Sequence, residues 1–403
     1  MSVIQIAAVI VSLTAALAYL NARFVKLPSG IGLMAISLVG SLVVIGLDAT
    51  GMIDGAGLER VVARASFGET LLHGMLGLLL FAGALQLDVR ELASQRAAVT
   101  VLALLGTVLA TVLVGIAIYG ACAAVGLDLP LIEAMLFGAL ISPTDPVAVL
   151  SVVKLSKVPR ELAVQISGES LFNDGVGVVL FTVVLAIAAG TNVTAGGVVW
   201  LFVRVAFGGA AFGLVMGYVG RYLLRSIDAY SVEVLITLAL VLGGYATAEA
   251  IGVSAPIAAV VAGLAIGAKA RSESHLLEFW ELVDEVLNAV LFLMLGLEAT
   301  RLVVSRELAV VAAIAVPIVL AARLAAVLAS QLALRPISGP PQRHAATVLT
   351  WGGLRGGLSV ALALSLPLTT HRDALLTMTY AVVCFAILVQ GLTLGRVLRK
   401  LGL

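Results

Sequence analysis

The sequence predicts an all-α, polytopic membrane protein with about thirteen transmembrane helices. Three observations lead to this fold class: 61% of the 403 residues are apolar, only 12% are charged, and the mean hydropathy is +1.16. These values lie far outside the range of a water-soluble domain of this length, so membrane lipid is the expected environment. The formal net charge of +1 predicts no nucleic-acid partner.

Thirteen apolar segments match the length of a spanning helix, which is about 20 residues. The first is interpreted as a spanning helix rather than a cleaved signal peptide, because no basic residue precedes it and Arg23 and Lys26 follow it. No soluble domain interrupts the pattern, so residues 1–403 are predicted to form a single transmembrane domain. The predicted spans are 3–21, 29–47, 69–87, 97–126, 130–153, 162–190, 195–219, 231–251, 254–269, 278–298, 307–331, 344–367 and 374–396.

The positions of lysine and arginine predict the orientation of the chain, because inward loops carry an excess of both residues. With the N-terminus outside, sixteen of the 24 basic residues fall on the inner side and five on the outer side. The other three, Arg204, Arg323 and Arg355, lie within spans. The sequence therefore predicts a multi-pass protein of the inner (plasma) membrane with a cytoplasmic C-terminus.

Four ionisable residues near the middle of spans are the candidate functional residues: Asp145, Glu169, Asp174 and Arg355. A charged side chain at that depth costs roughly 3 kcal/mol or more unless it is paired, hydrated or neutralised. Three acids and one base cannot all be neutralised by pairing among themselves. These residues therefore indicate a functional site within the membrane.

The fifth span is predicted to unwind around Thr144 and Asp145, which Pro143 and Pro146 enclose. Each proline removes a backbone donor and clashes with the preceding turn, and such a break is tolerated only inside protein or beside water. In transporters, a discontinuous helix of this kind marks the ion site. A simple proline kink capped by the aspartate is the alternative interpretation.

The sixth span places four polar side chains on neighbouring stripes of one helix face. Glu169 lies one turn before Asn173, and Ser170 lies one turn before Asp174. Asp174 is roughly 18 Å from the inner end of the span, which is close to the bilayer centre. A polar contact that only holds helices together is the alternative to a functional site.

The chemistry of these groups predicts cation/proton exchange. Hard monovalent cations prefer oxygen ligands, which Asp174, Asp145, the Ser170 hydroxyl and the Thr144 carbonyl could supply. Two neighbouring carboxylates in a low dielectric cannot both stay ionised, so one binds a proton when no cation is present. Competition between a proton and a cation for one buried carboxylate site is sufficient for exchange.

Four glycines surround Arg355 in the twelfth span and are expected to loosen the helix at mid-membrane. Spans five and twelve run in opposite directions in the predicted topology, which is typical of inverted repeats with two broken, crossing helices. Arg355 is expected to offset the charge of the broken helices and to pair with Glu169. A structural role and a transport role for this pair both stay open.

These motifs resemble the signature of the monovalent cation/proton antiporter family, specifically its NhaP and NHE branch. The resemblance covers the thirteen-span plan and four motifs: Thr144-Asp145-Pro146, Glu169-Ser170 with Asn173-Asp174, Gly353-Leu354-Arg355-Gly356, and Phe279-Trp280-Glu281 leading into Leu287-Asn288-Ala289-Val290-Leu291-Phe292. It implies a secondary active antiporter that exchanges sodium, or lithium, for protons and uses no cofactor besides these transported ions.

The resemblance also implies roles for the site residues. Asp174 would carry the ion and the proton, with Asp145, Ser170 and the Thr144 carbonyl as further ligands of the monovalent cation. Glu169 and Arg355 would be a supporting pair. Asn173 stands where the electrogenic branch has a second aspartate, which implies one-for-one, electroneutral exchange.

The assembly implied by the resemblance is a homodimer. Its moving core would comprise residues of about 97–190 and 307–398, and its dimerisation part those of about 1–88 and 195–299. Some relatives place an acid in the third span, whereas Phe81-Ala82-Gly83-Ala84-Leu85 contains none. That departure leaves open how the cation shell is completed.

Three alternative functions compete with sodium/proton exchange. A potassium/proton exchanger or potassium efflux system would share the fold. An intramembrane aspartyl protease could use Asp145 and Asp174, but broken helices and Arg355 have no use in that chemistry. A nucleotide-driven pump would need a phosphate-binding loop, which this sequence does not contain. Neither a nucleotide partner nor an enzymatic activity is therefore expected.

For other polar residues the sequence gives weaker indications of a function. His344, at the predicted inner mouth of span twelve, is the best of four histidines for a pH sensor. Asn288 is expected to make a packing hydrogen bond rather than to bind an ion. Three acids at the start of span ten could draw cations inward, although a hydrated helix end explains them equally well: Glu281, Asp284 and Glu285.

Overall fold

The computed structural model of the chain describes residues 3–50, 74–145, 149, 156, 158–190, 195–270, 274–299, 305–367 and 371–403. Within these ranges every regular element is a helix. In chain order the helices are α1 (Val3–Leu20), α2 (Ser29–Ala49), α3 (Leu76–Gln86), α4 (Val89–Ser94), α5 (Arg96–Val101), α6 (Thr107–Val125), α7 (Leu131–Ile141), α8 (Arg160–Ala188), α9 (Ala195–Arg225), α10 (Tyr230–Ala250), α11 (Ala255–Ala270), α12 (Ser274–Glu298), α13 (Arg306–Ser338), α14 (Ala345–Trp351), α15 (Gly357–Leu364), α16 (Arg372–Phe385) and α17 (Leu392–Lys400). Wider, π-helical turns adjoin these helices at Asn21–Val25, Leu102–Gly106 and Ala386–Gly391.

Long helices are the expected form of this apolar chain, because lipid offers no hydrogen bonds to an open backbone. By length and composition alone, seven helices in the described part can cross a membrane, and four shorter apolar helices accompany them. The prediction of an all-α polytopic membrane protein is confirmed. The count of thirteen spans stays a prediction. Parts of the sequence interpretation lie outside the described residues, namely Pro146, most of 147–153 and the start of the third predicted span.

The most extensive helix contacts form within two sets of helices. In one set α6 packs against α7 and α13, and α13 packs against α16. In the other, α11 packs against α3 and α9, and α12 packs against α2. Glycine permits the close contact of α6 with α7, since a β-carbon at Gly138 would overlap the Thr111 carbonyl oxygen. The division of the chain into a core and a dimerisation part stays a prediction.

The first of two non-helical segments that position the candidate site is residues 142–145, which follow the end of α7 at Ile141. Pro143 has no backbone N–H to donate a helical hydrogen bond, and its ring clashes with the preceding turn. The helix therefore ends beside Pro143.

The second is residues 352–356, which separate α14 from α15. The Asp145 N–H donates to the Leu354 carbonyl over 2.8 Å, so the two segments touch through their backbones. In a membrane such non-helical backbone must find its partners within the protein.

Candidate ion-binding site

A buried polar network joins the 142–145 segment to α8. The Asn173 amide nitrogen donates to the Thr144 hydroxyl over 2.8 Å, and the Asn173 amide oxygen accepts from the Thr144 N–H over 3.2 Å. The Ser170 hydroxyl lies 2.9 Å from the Thr144 hydroxyl. All three side chains are at most 3% exposed. The structure therefore brings Thr144, Ser170 and Asn173 together, through the hydroxyl and N–H of Thr144 rather than through its carbonyl.

Asp145 and Asp174 are the carboxylates beside this network, and Asp145 acts electrostatically on Asp174. Both side chains are partly buried, in contrast to the fully buried network. Gly356 permits the position of Asp145, because a β-carbon at residue 356 would overlap the Asp145 Oδ2 atom. The two predicted carboxylates thus lie near each other, at the contact of the two non-helical segments.

The donor set fits a hydrated monovalent cation better than a chelated divalent ion. Two carboxylates, the Ser170 hydroxyl and the Thr144 carbonyl offer hard oxygen atoms with limited charge. Among the described residues, no group of three or more His, Cys, Asp or Glu side chains could hold a metal ion together.

Glu169 has a different partner from the one predicted. Its carboxylate forms a bidentate ion pair with Arg323 of α13, in which Arg323 Nη2 donates to Glu169 Oε2 over 2.9 Å and Nη1 donates to Oε1. Both side chains are buried, at 1% and 4% exposed. The predicted Glu169–Arg355 pair is wrong, because Arg323 projects from a neighbouring helix directly onto this carboxylate.

Arg355 binds the backbone instead of an acid. Its Nη1 atom donates to the Pro143 carbonyl over 2.8 Å and also to the Ser142 carbonyl. These carbonyls follow the last turn of α7, where unpaired acceptors and the helix dipole concentrate negative charge. A buried guanidinium, 2% exposed, therefore compensates the end of α7, as the sequence analysis expected of its charge.

Arg323 binds the end of a second helix in the same way. Its Nε and Nη2 atoms donate to the Leu349 carbonyl over 3.3 and 3.1 Å, in the last turn of α14. The sequence predicts that Arg323 lies within a span but indicates no role for it. Its position in the apolar middle of the 33-residue α13 is the same signal that identified Arg355, so it could have been found.

The remaining candidates lie away from this centre. His344 directly precedes α14 and has a left-handed backbone conformation, with φ of 64°. Its side chain lines a surface cavity of about 640 Å³ together with Arg160 and Arg343. Asn288 donates to the carbonyl and to the carboxylate of Asp284 in the same helix, so its hydrogen bonds are local and differ from the expected helix-packing bond. Neither His344 nor Asn288 is part of the Thr144 network.

Comparison with known proteins places this geometry in context. The family model described as "Sodium/hydrogen exchanger, transmembrane" matches residues 10–400. The chain is 45% identical to the Na⁺/H⁺ antiporter NhaP of Pseudomonas aeruginosa, covering 99% of this chain and 97% of that protein. It is 37% identical to the Na⁺/H⁺ antiporter NhaH of Halobacillus dabanensis, over 95% and 94% of the two chains.

A solved structure has a similar fold. The sodium proton antiporter MjNhaP1 from Methanocaldococcus jannaschii at pH 8 superposes with a TM-score of 0.74, covering 98% of this chain and 97% of that one. At 18% sequence identity this is a likeness of fold alone.

Proposed function

Because this chain belongs to the sodium/hydrogen exchanger family, we propose that it exchanges sodium, or lithium, for protons at the site formed by Asp174, Asp145 and the Thr144 network. Family membership confirms the resemblance inferred from the motifs. It also makes the chain a secondary transporter of the membrane rather than an enzyme, which removes the intramembrane protease alternative. The transported ions are its substrates.

One observation carries the assignment of the site: two partly buried carboxylates act on each other beside buried hydroxyl groups. In a low dielectric an acid is stable when it holds a proton or when a cation lies beside it. Asp174 therefore alternates between a protonated and a cation-bound form. Because both forms are electrically compensated, each can cross the membrane region while the bare carboxylate cannot.

The surrounding residues take three roles in this proposal. Asp145, the Ser170 hydroxyl and the Thr144 carbonyl are further ligands of the cation. Asn173 holds Thr144 in place through its amide. The frame around the site consists of Arg355, which holds the end of α7, and the Glu169–Arg323 pair, which holds the end of α14.

Exchange is proposed to be electroneutral, at one cation for one proton. Asn173 carries no charge, so a single carrier carboxylate, Asp174, compensates either ion. Potassium/proton exchange by the same site is the second candidate, because the described part of α3 supplies no acid that would tighten the shell for a smaller ion.

The assembly and orientation follow the family plan. The protein is proposed to be a homodimer with its N-terminus outside and its C-terminus in the cytoplasm. A core of about 97–190 and 307–398 would move against the rest of the chain and carry the site across. The contact between the 142–145 and 352–356 segments supports this, because it ties both halves of that core to one site.

The test is dye-monitored pH change in proteoliposomes, with sodium, lithium and potassium added in turn, with and without a clamped voltage. Wild-type protein is expected to respond to sodium and lithium at a rate that the voltage does not alter. The sodium concentration for half-maximal rate is expected to rise as pH falls, because protons compete for the same carboxylate. A response to potassium alone would favour the second candidate.

Asp174→Ala and Asp174→Asn are the decisive variants. Both are expected to lose exchange and to remain folded, because removing a partly buried acid relieves its desolvation. Asp228→Asn, which removes an exposed acid from the loop before α10, is the matched control and is expected to exchange normally. Exchange at the wild-type rate by Asp174→Asn would contradict the assignment.

A further inference from the structure

Asp284 is an acid held in place inside α12 rather than at its end. The Asn288 amide nitrogen donates to the Asp284 Oδ1 atom over 3.0 Å and to the Asp284 carbonyl over 2.9 Å. Asn288 is itself only 6% exposed. A solvated helix end needs no buried amide to orient its carboxylate, so hydration of the helix does not account for this arrangement.

The helix face that carries Asp284 is directed at the candidate site. Asn288 follows Asp284 by one turn and Leu291 follows Asn288 by another, so the three residues share one face of α12. Leu291 packs on the start of α15, where its Cδ2 atom would lie 2.8 Å from a β-carbon placed at Gly357. The preceding residue, Gly356, contacts Asp145. Asp284 is therefore on the same side of α12 as the Asp145 carboxylate.

Electrostatics connect Asp284 to the transport carboxylates. Asp145 interacts electrostatically both with Asp284 and with Asp174. The other groups that act on Asp284 are Glu281 and Glu285 of its own helix, which are exposed acids. In the described part of the chain, therefore, the charged groups that act on Asp284 are all negative. A cation beside Asp284 would relieve this repulsion.

We propose that Asp284 is a positioning residue of the exchange, whose charge attracts the cation toward Asp145 and Asp174 and so sets its apparent affinity. This inference rests on the proposed function. Asp284 does not chelate the ion jointly with both other acids, since the three do not form a common metal-binding group. It acts as a positioning residue that raises the local concentration of cations beside the site.

The test is the sodium dependence of exchange in proteoliposomes at constant pH and ionic strength. Asp284→Asn is expected to raise the half-saturating sodium concentration on the order of tenfold, the scale of one unit charge acting through a partly hydrated interior. The maximal rate at saturating sodium is expected to stay at the wild-type value. Asp284→Glu, which keeps the charge, is expected to restore most of the affinity.

Glu285→Gln is the matched control, because it removes the same charge from the adjacent, exposed position. Its half-saturating sodium concentration is expected to equal that of the wild type. An unchanged value in Asp284→Asn, or an equal increase in Glu285→Gln, would overturn the inference. If Asp284→Asn does not fold, Asn288→Ala replaces it: releasing the carboxylate is expected to weaken sodium affinity, and an unchanged affinity overturns the inference.

These outcomes separate the inference from the proposed function. Loss of exchange from wild-type protein would remove both. Sodium-driven exchange in the wild type, abolished by Asp174→Asn but insensitive to Asp284→Asn, would remove the role of Asp284 alone.

Discussion

The backbone N–H of Asp145 donates to the carbonyl oxygen of Leu354 over 2.8 Å, which joins the 142–145 segment directly to the 352–356 segment. Arg355 reinforces this contact, since its guanidinium binds the carbonyls that follow α7. Hydrogen bonds therefore hold together two parts of the chain that lie about two hundred residues apart. Displacing either segment displaces Asp145, and this coupling has testable consequences.

Gly356→Ala is expected to abolish or strongly reduce exchange. A β-carbon at this position would overlap the Asp145 carboxylate and would lie 2.6 Å from the Asp145 β-carbon, so the carboxylate must move. A displacement of about 1 Å at a reacting group can reduce a rate by roughly a hundredfold. The measurement is sodium-driven exchange in proteoliposomes. Gly243→Ala, where nothing lies within 4 Å of the new methyl group, should retain the wild-type rate. Equal rates for the two variants would contradict this packing.

Arg323→Ala is expected to destabilise the protein by about 3–5 kcal/mol, because it leaves Glu169 buried without its partner. The measurement is the melting temperature of the purified protein in detergent. In a Glu169→Gln background the same substitution should cost less, since no charge is then stranded. Arg225→Ala, at the exposed end of α9, serves as the control. An unchanged melting temperature for Arg323→Ala would argue against the buried pair.

Arg355→Met is expected to cost less stability than Arg323→Ala, because it strands no acid. It removes charge-assisted hydrogen bonds to two backbone carbonyls, a loss of about 1.5–3 kcal/mol for one such bond. The exchange rate should also fall, since the 142–145 and 352–356 segments then keep only the backbone hydrogen bond between Asp145 and Leu354. Thermal unfolding and transport measured on one preparation compare the two effects. A larger loss of stability than in Arg323→Ala would support an ion pair between Glu169 and Arg355 instead.

Asn173→Ala is expected to lower stability by about 1–3 kcal/mol and to reduce exchange. The substitution removes the acceptor of the Thr144 N–H and the donor to its hydroxyl, and both groups are buried. Chemical or thermal unfolding, measured alongside transport, reports both effects. Thr182→Val is the control on the same helix, because the Thr182 side chain is exposed and its hydroxyl binds only the Val178 carbonyl. Similar losses in the two variants would mean that the Thr144 network contributes nothing particular.

Much of the candidate site could be predicted because its signals are local. Prolines enclose Thr144 and Asp145, and a spacing of one helical turn places Ser170 and Asn173 on neighbouring stripes. Each of these statements depends on residues within about two turns of one another. The residues that join the 142–145 segment to α8 could therefore be identified from the sequence, whereas the contacts made by the hydroxyl and the N–H of Thr144 could not.

The partner of Glu169 was not accessible in the same way. Arg323 and Arg355 both lie in apolar spans, and either charge would satisfy a buried acid. Which arginine reaches the carboxylate depends on the rotation and depth of α13 relative to α8, which are set by packing across many helices. The coupling of Asp284 to Asp145 was hidden for the same reason, since α12 meets the site only in the folded chain.

By itself the sequence determined that this protein lies in lipid and that it is helical, and it limited the candidates for the functional site to a few intramembrane charges. The physical reason is that the cost of placing a charge or an open backbone in hydrocarbon depends on composition and on near neighbours along the chain. Only the tertiary structure decided which buried charges pair. Electrostatic pairing changes over a few ångströms, a scale on which helix register and rotation, rather than sequence spacing, place one side chain against another.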